Sequence, residues 1–487
     1  MNKNSVVIIG AGMAGLTTAA YLARAGMDVT VYEQHTLPGG YISSFGRKGF
    51  TFPAGPTSFG SNGVIFPILK ELGLDAQCRF LPGAHQISWG IHDVPLHDPR
   101  QVAHDLAERF PTERRSLERY FRWVQVGGEG FKAMLESGLM FGRGVLQAML
   151  PLLIRHPLFP WAALVGRGQT NRSLHARYFQ DALLRQLLDQ LGYPVMPGQN
   201  TLGMWITYFY DTWVPEGGMQ TLADILVRFI REHGGEVHLG KAVARIRVED
   251  GQAAGVTLAD GSEIPAHWVV SAADLHHTCF DLIGQEHLSP ALIAKFERTR
   301  PSEAAFAVYL GLRGSPELDR ALERFQASHV CFTCADGAYI QLALLSKDDP
   351  TVAPDGKHAL FAGRLVPYLD WQPLKGDRAA YRARKAAFAG DIIARAEEFI
   401  PGLRAHIEVQ DAASPLTYER YTHNWQGGTA GWNWDPDLAP CFKLAKDLPL
   451  KHFHAVGHYV FNPGGVPTAM ITAWYIAREI LEKENLA

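Results

Sequence analysis

The chain has 487 residues, which is too long for one hydrophobic core and predicts two or three domains. Its formal net charge of −3, with 20% charged residues, supplies no overall positive field, so nucleic acid is not expected as a partner. The five cysteines are few and odd in number, which favours a reducing, cytoplasmic location without a framework of disulfides.

The N-terminal segment is typical of a dinucleotide-binding βαβ unit. An apolar strand at residues 6–9 runs into a glycine-rich turn, and an amphipathic helix follows at residues 16–26. The glycines permit close approach of the backbone to a pyrophosphate, and the helix presents its positive end. The second strand ends at Glu33, before Gln34, and a carboxylate at this distance accepts hydrogen bonds from ribose hydroxyls. The turn consists of Gly10, Ala11, Gly12, Met13, Ala14 and Gly15.

Two further glycine-rich turns follow this unit. One contains Gly40, which precedes Tyr41, and the other is Gly55-Pro56-Thr57. Glycines in such turns let backbone amides approach an anion, so both turns are candidates for cofactor contact. Plain turns without a ligand are the structural alternative.

Two later stretches of the chain have the same α/β character. A helix is predicted at residues 221–233, a hairpin at Asp260-Gly261 and a buried strand at 268–272. Near the end, a strand at 453–457 leads through a loop into a helix at 466–481. The pattern predicts a discontinuous nucleotide-binding domain made of residues 1–74, 214–284 and 425–487.

The remaining segments, residues 75–213 and 285–424, are left to form a substrate domain. The second of them contains four alternating strands, which predict a sheet at the floor of a substrate cavity. Residues 131–168 are strongly apolar, but Arg155 and three prolines interrupt them, so they do not form a clean spanning helix. The segment is therefore expected to contact a membrane surface from one side, or to form a lid or part of the core.

Three motifs, in chain order, resemble those of the phytoene desaturase family of FAD-dependent oxidoreductases, which includes carotenoid desaturases, carotenoid isomerases and retinol saturases. They are VVIIGAGMAG with VTVYEQ and LPGGYISSFGRKGFTFPAGPT, then VPEGGMQTLADIL with VVSAAD, then SPLTYERYTHNWQGG with AVGHYVFNPGGVPTAM. The resemblance implies an α/β fold in which a Rossmann-type FAD-binding domain is joined to a discontinuous α+β substrate domain and an apolar helical subdomain.

The resemblance also implies which residues bind FAD. The first glycines and Glu33 would hold the adenosine half, and Val243 would meet the adenine through its backbone. Many relatives have arginine where this chain has Tyr41, so phosphate neutralisation is expected to rely on amides and nearby serines. The residues assigned to FAD are Gly10, Ala11, Gly12, Met13, Ala14, Gly15, Glu33, Gln34, Gly40, Tyr41, Gly55, Pro56, Thr57, Val243, Gly457, Gly465, Val466 and Pro467.

His458 is the candidate catalytic acid or base. It follows Gly457 at the expected flavin face, where amine oxidases usually place an acid, and a histidine can carry a proton at neutral pH. Cys331 and Cys334 fall in a strand pattern that places them on opposite faces, and no second ligand pair follows, so no metal site is predicted.

These observations predict a FAD-dependent oxidoreductase that acts on carbon–carbon bonds of an apolar polyene or isoprenoid lipid. Carotenoid desaturation by hydride transfer to flavin N5 is the leading hypothesis, with isomerisation and retinol-type saturation as alternatives. Amine oxidation and non-catalytic lipid binding, as in GDP dissociation inhibitors, also stay open. No second G-x-G-x-x-G appears, so a quinone or oxygen is expected to accept the electrons from a peripheral membrane enzyme.

Overall fold

The computed structural model describes residues 4–138, 141, 145–192, 195–433, 448, 450–461 and 464–486. The side chains of residues 145–148 lie outside this description, as do parts of three predicted regions. These parts are residues 139–140 and 142–144 of the apolar segment, 434–447 of the last domain segment, and 462–463 of the loop before the final helix.

The strands and helices of the described residues are numbered in chain order. The strands are β1 (Ser5–Ile9), β2 (Asp28–Tyr32), β3 (Ser44–Arg47), β4 (Phe50–Pro53), β5 (Phe80–Pro82), β6 (His85–Trp89), β7 (His92–Leu96), β8 (Trp213–Pro215), β9 (Glu236–His238), β10 (Val243–Glu249), β11 (Gln252–Leu258), β12 (Glu263–Pro265), β13 (Trp268–Ser271), β14 (Ala304–Arg313), β15 (His329–Thr333), β16 (Tyr339–Leu344), β17 (Lys357–Val366), β18 (Ile407–Ala413) and β19 (Phe453–Ala455). The helices are α1 (Met13–Arg24), α2 (Ile65–Leu72), α3 (Pro99–Arg109), α4 (Arg114–Glu136), α5 (Val145–Arg155), α6 (Phe159–Leu164), α7 (Asn171–Tyr178), α8 (Ala182–Asp189), α9 (Thr201–Tyr210), α10 (Gln220–Glu232), α11 (Leu275–His277), α12 (Pro290–Arg298), α13 (Pro316–Leu322), α14 (Leu345–Asp348), α15 (Arg378–Phe399), α16 (Pro415–Thr422) and α17 (Val466–Lys483).

A five-stranded parallel sheet in the order β19-β13-β1-β2-β9 organises one half of the molecule. Its central strand is covered on both faces, as parallel sheets require. Val6 and Ile8 pack with α1, α10 and α17 on one face, while Val7 and Ile9 pack with the antiparallel strands β10–β12 on the other. This arrangement confirms the predicted Rossmann-type α/β fold.

Local predictions in this half agree with the structure. The hairpin at Asp260-Gly261 joins β11 to β12, in which Thr257 opposes Glu263. The predicted helices at 221–233 and 466–481 correspond to α10 and α17.

The other half is built on a seven-stranded sheet in the order β18-β14-β17-β16-β15-β6-β7. Its pairs are antiparallel except for the parallel pair of β6 and β15. The sequence anticipated β14 to β17 but not β6, β7 or β18. The apolar side chains of α15 cover one face of this sheet.

All five strands of the parallel sheet fall inside the segments 1–74, 214–284 and 425–487, and all seven strands of the other sheet fall inside 75–213 and 285–424. The exact limits of the two domains stay a prediction.

The apolar segment at 131–168 divides between core and surface. Leu152, Phe159 and Ala162 are buried, and a Cβ on Gly130 of α4 would overlap the Phe159 ring. Among the described side chains of the same segment, five large apolar ones are exposed, namely Leu150, Ile154, Leu158, Trp161 and Leu164. Among the described residues, no helix is both long enough and apolar enough to span a membrane.

Candidate functional site

A cavity of about 790 Å³ reaches from the carboxyl ends of β1 and β2 to the seven-stranded sheet. Residues of the glycine-rich turn line one side, and residues of β15, β16 and β17 line the other. Ligands of open α/β sheets bind at the carboxyl ends of parallel strands, so the cavity lies where a dinucleotide is expected.

The glycine-rich turn leaves the start of α1 open toward the cavity. Gly12 is the N-cap of this helix, no side chain caps it, and its first turn contains no acidic residue. A Cβ on Gly12 would have no atom within 4 Å, whereas a Cβ on Gly15 would overlap the carbonyl oxygen of Gly10. The amides of Gly10 and Ala11 bond Tyr32 and Glu33, but those at the uncapped start of α1 are available to an anion, and Gly15 permits the close approach of helix and strand.

Glu33 lies at the end of β2 and faces the cavity with 8% of its surface exposed. One carboxylate oxygen accepts a hydrogen bond of 2.7 Å from the Ala11 amide, and the other accepts one of 2.8 Å from the His35 amide. Each oxygen keeps a lone pair, so the carboxylate can also accept hydrogen bonds from ribose hydroxyls.

Tyr41, where the resemblance implied an arginine, lines the cavity. Its hydroxyl donates a hydrogen bond of 3.1 Å to the carbonyl oxygen of Gly428, and its ring stacks on Tyr418 with centroids 5.7 Å apart. The described lining of the cavity contains no lysine or arginine. Phosphate charge must therefore be met by amides and by helix N-termini, including α17, whose N-cap Gly465 has a φ of +141°.

The structure brings most of the predicted cofactor residues to this cavity. Ala11 and Gly15 do not line it but shape the turn, the first by its bond to Glu33 and the second by its packing against Gly10. The residues that do line it are Gly10, Gly12, Met13, Ala14, Glu33, Gln34, Gly40, Tyr41, Gly55, Pro56, Thr57, Val243, Gly457, Gly465, Val466 and Pro467. The uncapped helix start, the open space at Gly12 and the buried carboxylate of Glu33 fit FAD.

His458 also lines the cavity. Burial lowers the pKa of its imidazole to about 4, and its Nε2 lies 3.5 Å from Nδ2 of Asn424. The ring is thus neutral at neutral pH, so the proton that the sequence argument gave it is absent. A neutral imidazole can still accept a proton, which leaves the role of base open to it.

Sequence reasoning missed Asp274, which lies just after β13 in the lining of the cavity. Its carboxylate accepts hydrogen bonds from the amides of His277 at 2.9 Å and Trp425 at 3.0 Å. Desolvation raises the pKa of this carboxyl above its usual value. Its position at the carboxyl end of a predicted parallel strand is a signal that could have identified it.

Sequence reasoning also missed His85 and His329, which line the side of the cavity formed by the seven-stranded sheet. Each is the first residue of its strand, and the two strands pair in parallel with these residues opposite each other. They are far apart in the chain and no motif surrounds them, so no local signal marks them.

Cys331 of β15 also lines the cavity, while Cys334 follows the strand, and both side chains are buried. Burial raises the pKa of the Cys331 thiol to about 12 and that of Cys334 to about 11, so both thiols are protonated. Within the described ranges, no group of three or more histidine, cysteine, aspartate or glutamate side chains could hold a metal ion.

A model of the flavin-containing amine oxidoreductase family matches residues 13–481, and the chain belongs to this family. It is 25% identical to a 4,4'-diapophytoene desaturase (4,4'-diapolycopene-forming) of Methylomonas sp., over 100% of this chain and 96% of that protein. It is 26% identical to the all-trans-retinol 13,14-reductase of Homo sapiens, over 95% of this chain and 83% of that protein.

Solved structures show the same fold. An oxidoreductase from Methanosarcina mazei superposes with a TM-score of 0.65 at 18% identity, covering 97% of this chain and 99% of that one. The comparisons confirm the resemblance to phytoene desaturases and confirm FAD as the cofactor. The protein is therefore a FAD-dependent oxidoreductase of the carotenoid desaturase, isomerase and retinol reductase type, and this favours an enzyme over a non-catalytic lipid carrier.

Proposed function

We propose that the protein oxidises carbon–carbon bonds of an apolar isoprenoid polyene, and that desaturation is its reaction. The observation that carries the proposal is the continuity of the cavity from the cofactor turn to an apolar floor. The two carboxyl side chains of the described lining, Glu33 and Asp274, follow strands β2 and β13 of the parallel sheet and not strands of the floor, so a hydrocarbon chain would meet little desolvation cost there. The apolar side chains on the cavity face of the sheet are Ala305, Cys331, Ala343, Phe361 and Leu365, and Gln341, His85 and His329 lie beside them.

Bound FAD supplies a two-electron hydride acceptor. The residues of the cavity exclude water and hold the polyene against the cofactor turn. Removal of a hydride beside a double bond leaves a positive charge that the polyene delocalises, so the neighbouring proton becomes acidic. The neutral imidazole of His458 is a base that can accept this proton without first losing one of its own.

The relatives do not indicate whether the substrate loses or gains electrons, since one is named as a desaturase and another as a reductase. The direction of electron flow is therefore a matter for the test below. Desaturation needs an external electron acceptor, for which a quinone or oxygen is proposed.

We also propose that the protein works at a membrane surface, where its substrate would dissolve. The five exposed apolar side chains of α5, α6 and the turn between them lie within 15 residues of chain, with the exposed Arg155 among them and the exposed Arg167 just after them. An apolar patch with basic neighbours is typical of a surface that enters the headgroup region of a bilayer.

The test is the mass of the product formed from linear and cyclised polyenes by the FAD-loaded enzyme in liposomes that contain a quinone. Loss of hydrogen in pairs is expected and would establish desaturation. Gain of hydrogen would show saturation, and a changed elution time at constant mass would show isomerisation. The same protein without FAD serves as the control.

Amine oxidation is the outcome that would overturn the proposal. It would appear as reduction of the flavin by an amine panel under conditions in which no polyene changes in mass or elution time.

A further inference from the structure

Two histidines form a polar site in the floor of the cavity that the reaction described above does not use. His85 of β6 and His329 of β15 oppose each other in the parallel pair, and their ring centroids lie 5.0 Å apart. Tyr208 of α9 packs edge-on against His85, with centroids 4.6 Å apart. All three side chains line the cavity beside apolar residues of the same sheet.

His329 has hydrogen-bond partners at both ring nitrogens. Its Nδ1 lies 3.0 Å from the Ser328 hydroxyl, and its Nε2 lies 3.1 Å from the Thr57 hydroxyl. Burial lowers the pKa of this ring to about 4. His329 is therefore a neutral, fully engaged residue that holds Thr57 and the adjacent strand in place.

His85 differs, because only one of its nitrogens is engaged. Its Nε2 lies 2.9 Å from the Thr212 hydroxyl, which also contacts the Thr207 carbonyl oxygen at 2.8 Å. Its Nδ1 has no hydrogen-bond partner among the described residues and is open to the cavity, since it is not one of their buried, unpartnered polar atoms. Burial and the neighbouring His329 lower the pKa of His85 well below its usual value, so its ring is also neutral.

A nitrogen that faces the cavity is completed by water or by a polar group of a ligand, and an apolar group placed against it costs free energy. The Thr212 hydroxyl donates its one proton to the Thr207 carbonyl oxygen, so it accepts from Nε2–H of His85, and Nδ1 of the neutral ring is an acceptor. A hydroxyl group of a ligand can donate a hydrogen bond to this acceptor. A carboxylate would bring an uncompensated charge next to a neutral ring, and a pure hydrocarbon would leave Nδ1 without a partner.

We propose that His85 binds the terminal hydroxyl group of an isoprenoid alcohol whose hydrocarbon chain lies along the apolar floor. Thr212 orients the ring of His85 through Nε2, and His329 packs beside it. The inference rests on the proposed function, to which it adds the substrate class: a polyene with an alcohol at one end rather than an unsubstituted hydrocarbon or an acid.

The test measures binding and not turnover. Geranylgeraniol, the hydrocarbon in which hydrogen replaces its hydroxyl group, and geranylgeranoic acid are titrated into the FAD-loaded full chain in detergent micelles, with protein fluorescence as the readout. We expect the alcohol to bind about tenfold more tightly than the hydrocarbon, which is the worth of one good hydrogen bond. The acid is expected to bind no more tightly than the hydrocarbon.

The His85→Phe variant should lose the preference for the alcohol while its affinity for the hydrocarbon stays within about twofold of wild type. Thr212→Val is the second variant, for use if His85→Phe does not fold. It keeps the volume of the side chain but removes the hydroxyl group that orients the His85 ring, so it should reduce the same preference for the alcohol. The matched control is His358→Asn, because His358 lies in the same sheet but bonds Asp319 outside the cavity. This control should keep the full preference.

Equal affinity of wild type for alcohol and hydrocarbon, or a preference that survives His85→Phe, would overturn the proposal. Tightest binding of the acid would also overturn it, since the ring would then be cationic. A protein that keeps the His85-dependent preference but converts no polyene would instead overturn the proposed function, so the two failures are distinguishable.

Discussion

The backbone amide of Ala11 donates a hydrogen bond of 2.7 Å to the carboxylate of Glu33, and this bond joins the turn after β1 to the end of β2. It fixes the carboxylate beside the open start of α1, where the two features can act on one ligand. The relationship links a backbone position that does not itself line the cavity to a side chain that does.

Glu33→Gln should weaken FAD binding. The amide side chain keeps one oxygen but replaces the other with an NH2 group, which cannot accept a bond from a backbone amide or a ribose hydroxyl. Loss of a hydrogen bond to a charged group costs about 1.5–3 kcal/mol, so the Kd for FAD should rise about tenfold to a hundredfold. Flavin fluorescence on titration into the apoprotein measures this change.

Glu236→Gln is the control for that experiment, because Glu236 lies in the adjacent strand β9 but points to solvent and pairs with His238. An equal loss of FAD affinity in both variants would show that net charge, and not the position of Glu33, decides binding.

Two alanine substitutions in the glycine-rich turn should affect different properties, namely the stability of the fold for Gly15→Ala and the affinity for FAD for Gly12→Ala. Gly15→Ala should lower the free energy of unfolding by about 1–3 kcal/mol or more, because its methyl group overlaps the Gly10 carbonyl oxygen. Gly12→Ala should leave the stability of the apoprotein nearly unchanged, because its methyl group meets open space. It should nonetheless weaken FAD binding if FAD fills that part of the cavity, as we propose.

Thermal unfolding of the two apoproteins, followed by FAD titration, separates these effects. A Gly12→Ala protein that binds FAD as wild type does would contradict the placement of the cofactor at this turn.

The stability of the protein should decrease as the pH falls from 6.5 toward 4. The folded pKa of His458 is about 4, against 6.5 for a solvated histidine, so the unfolded state takes up a proton that the folded state does not. This difference can remove up to about 3 kcal/mol by pH 4. Asp348, whose pKa burial raises to about 6, opposes the change because it binds its proton in the folded state.

The His458→Asn variant isolates the contribution of this one residue, because the other groups cancel in the difference. Its free energy of unfolding in urea should fall less steeply with decreasing pH than that of wild type. His104→Asn, which removes an exposed histidine of α3, should keep the wild-type slope. Identical slopes for wild type and His458→Asn would disprove the assigned burial effect.

Charge placed in the exposed apolar patch should release the protein from membranes. Ile154→Glu puts a carboxylate on a side chain that is 72% exposed, where it would have to enter the headgroup region. Sedimentation with anionic liposomes should show at least a tenfold loss of binding, because burial of one such apolar side chain contributes about 1.5–3 kcal/mol.

Leu369→Glu is the matched control, since Leu369 is 66% exposed on the substrate domain but lies outside the patch. Equal release by both variants would argue for a general charge effect, and unchanged binding of Ile154→Glu would exclude the patch as the membrane contact.

Much of the cofactor half could be predicted because its signals are local. The spacing of Gly10, Gly12 and Gly15 after an apolar strand, and the distance to Glu33, are set by one turn and one helix. The substrate half was harder to predict from the sequence. Strands β14 to β17 alternate clearly, but β6, β7 and β18 are recruited from distant segments, and their pairing has no short-range signature.

His458 shows the limit of reasoning from residue type alone. Its position beside Gly457 was visible in the sequence, yet its protonation was not, because the desolvation that lowers its pKa depends on side chains from several separate segments.

By itself, the sequence determined the cofactor fold and the family, since each is marked by short motifs whose own residues are close together in the chain. Only the tertiary structure decided that His85 and His329 meet in the floor of the cavity, because the parallel pairing of β6 with β15 joins two distant segments. It also decided which apolar side chains of α5 and α6 are buried and which face solvent, since that depends on what packs against each helix.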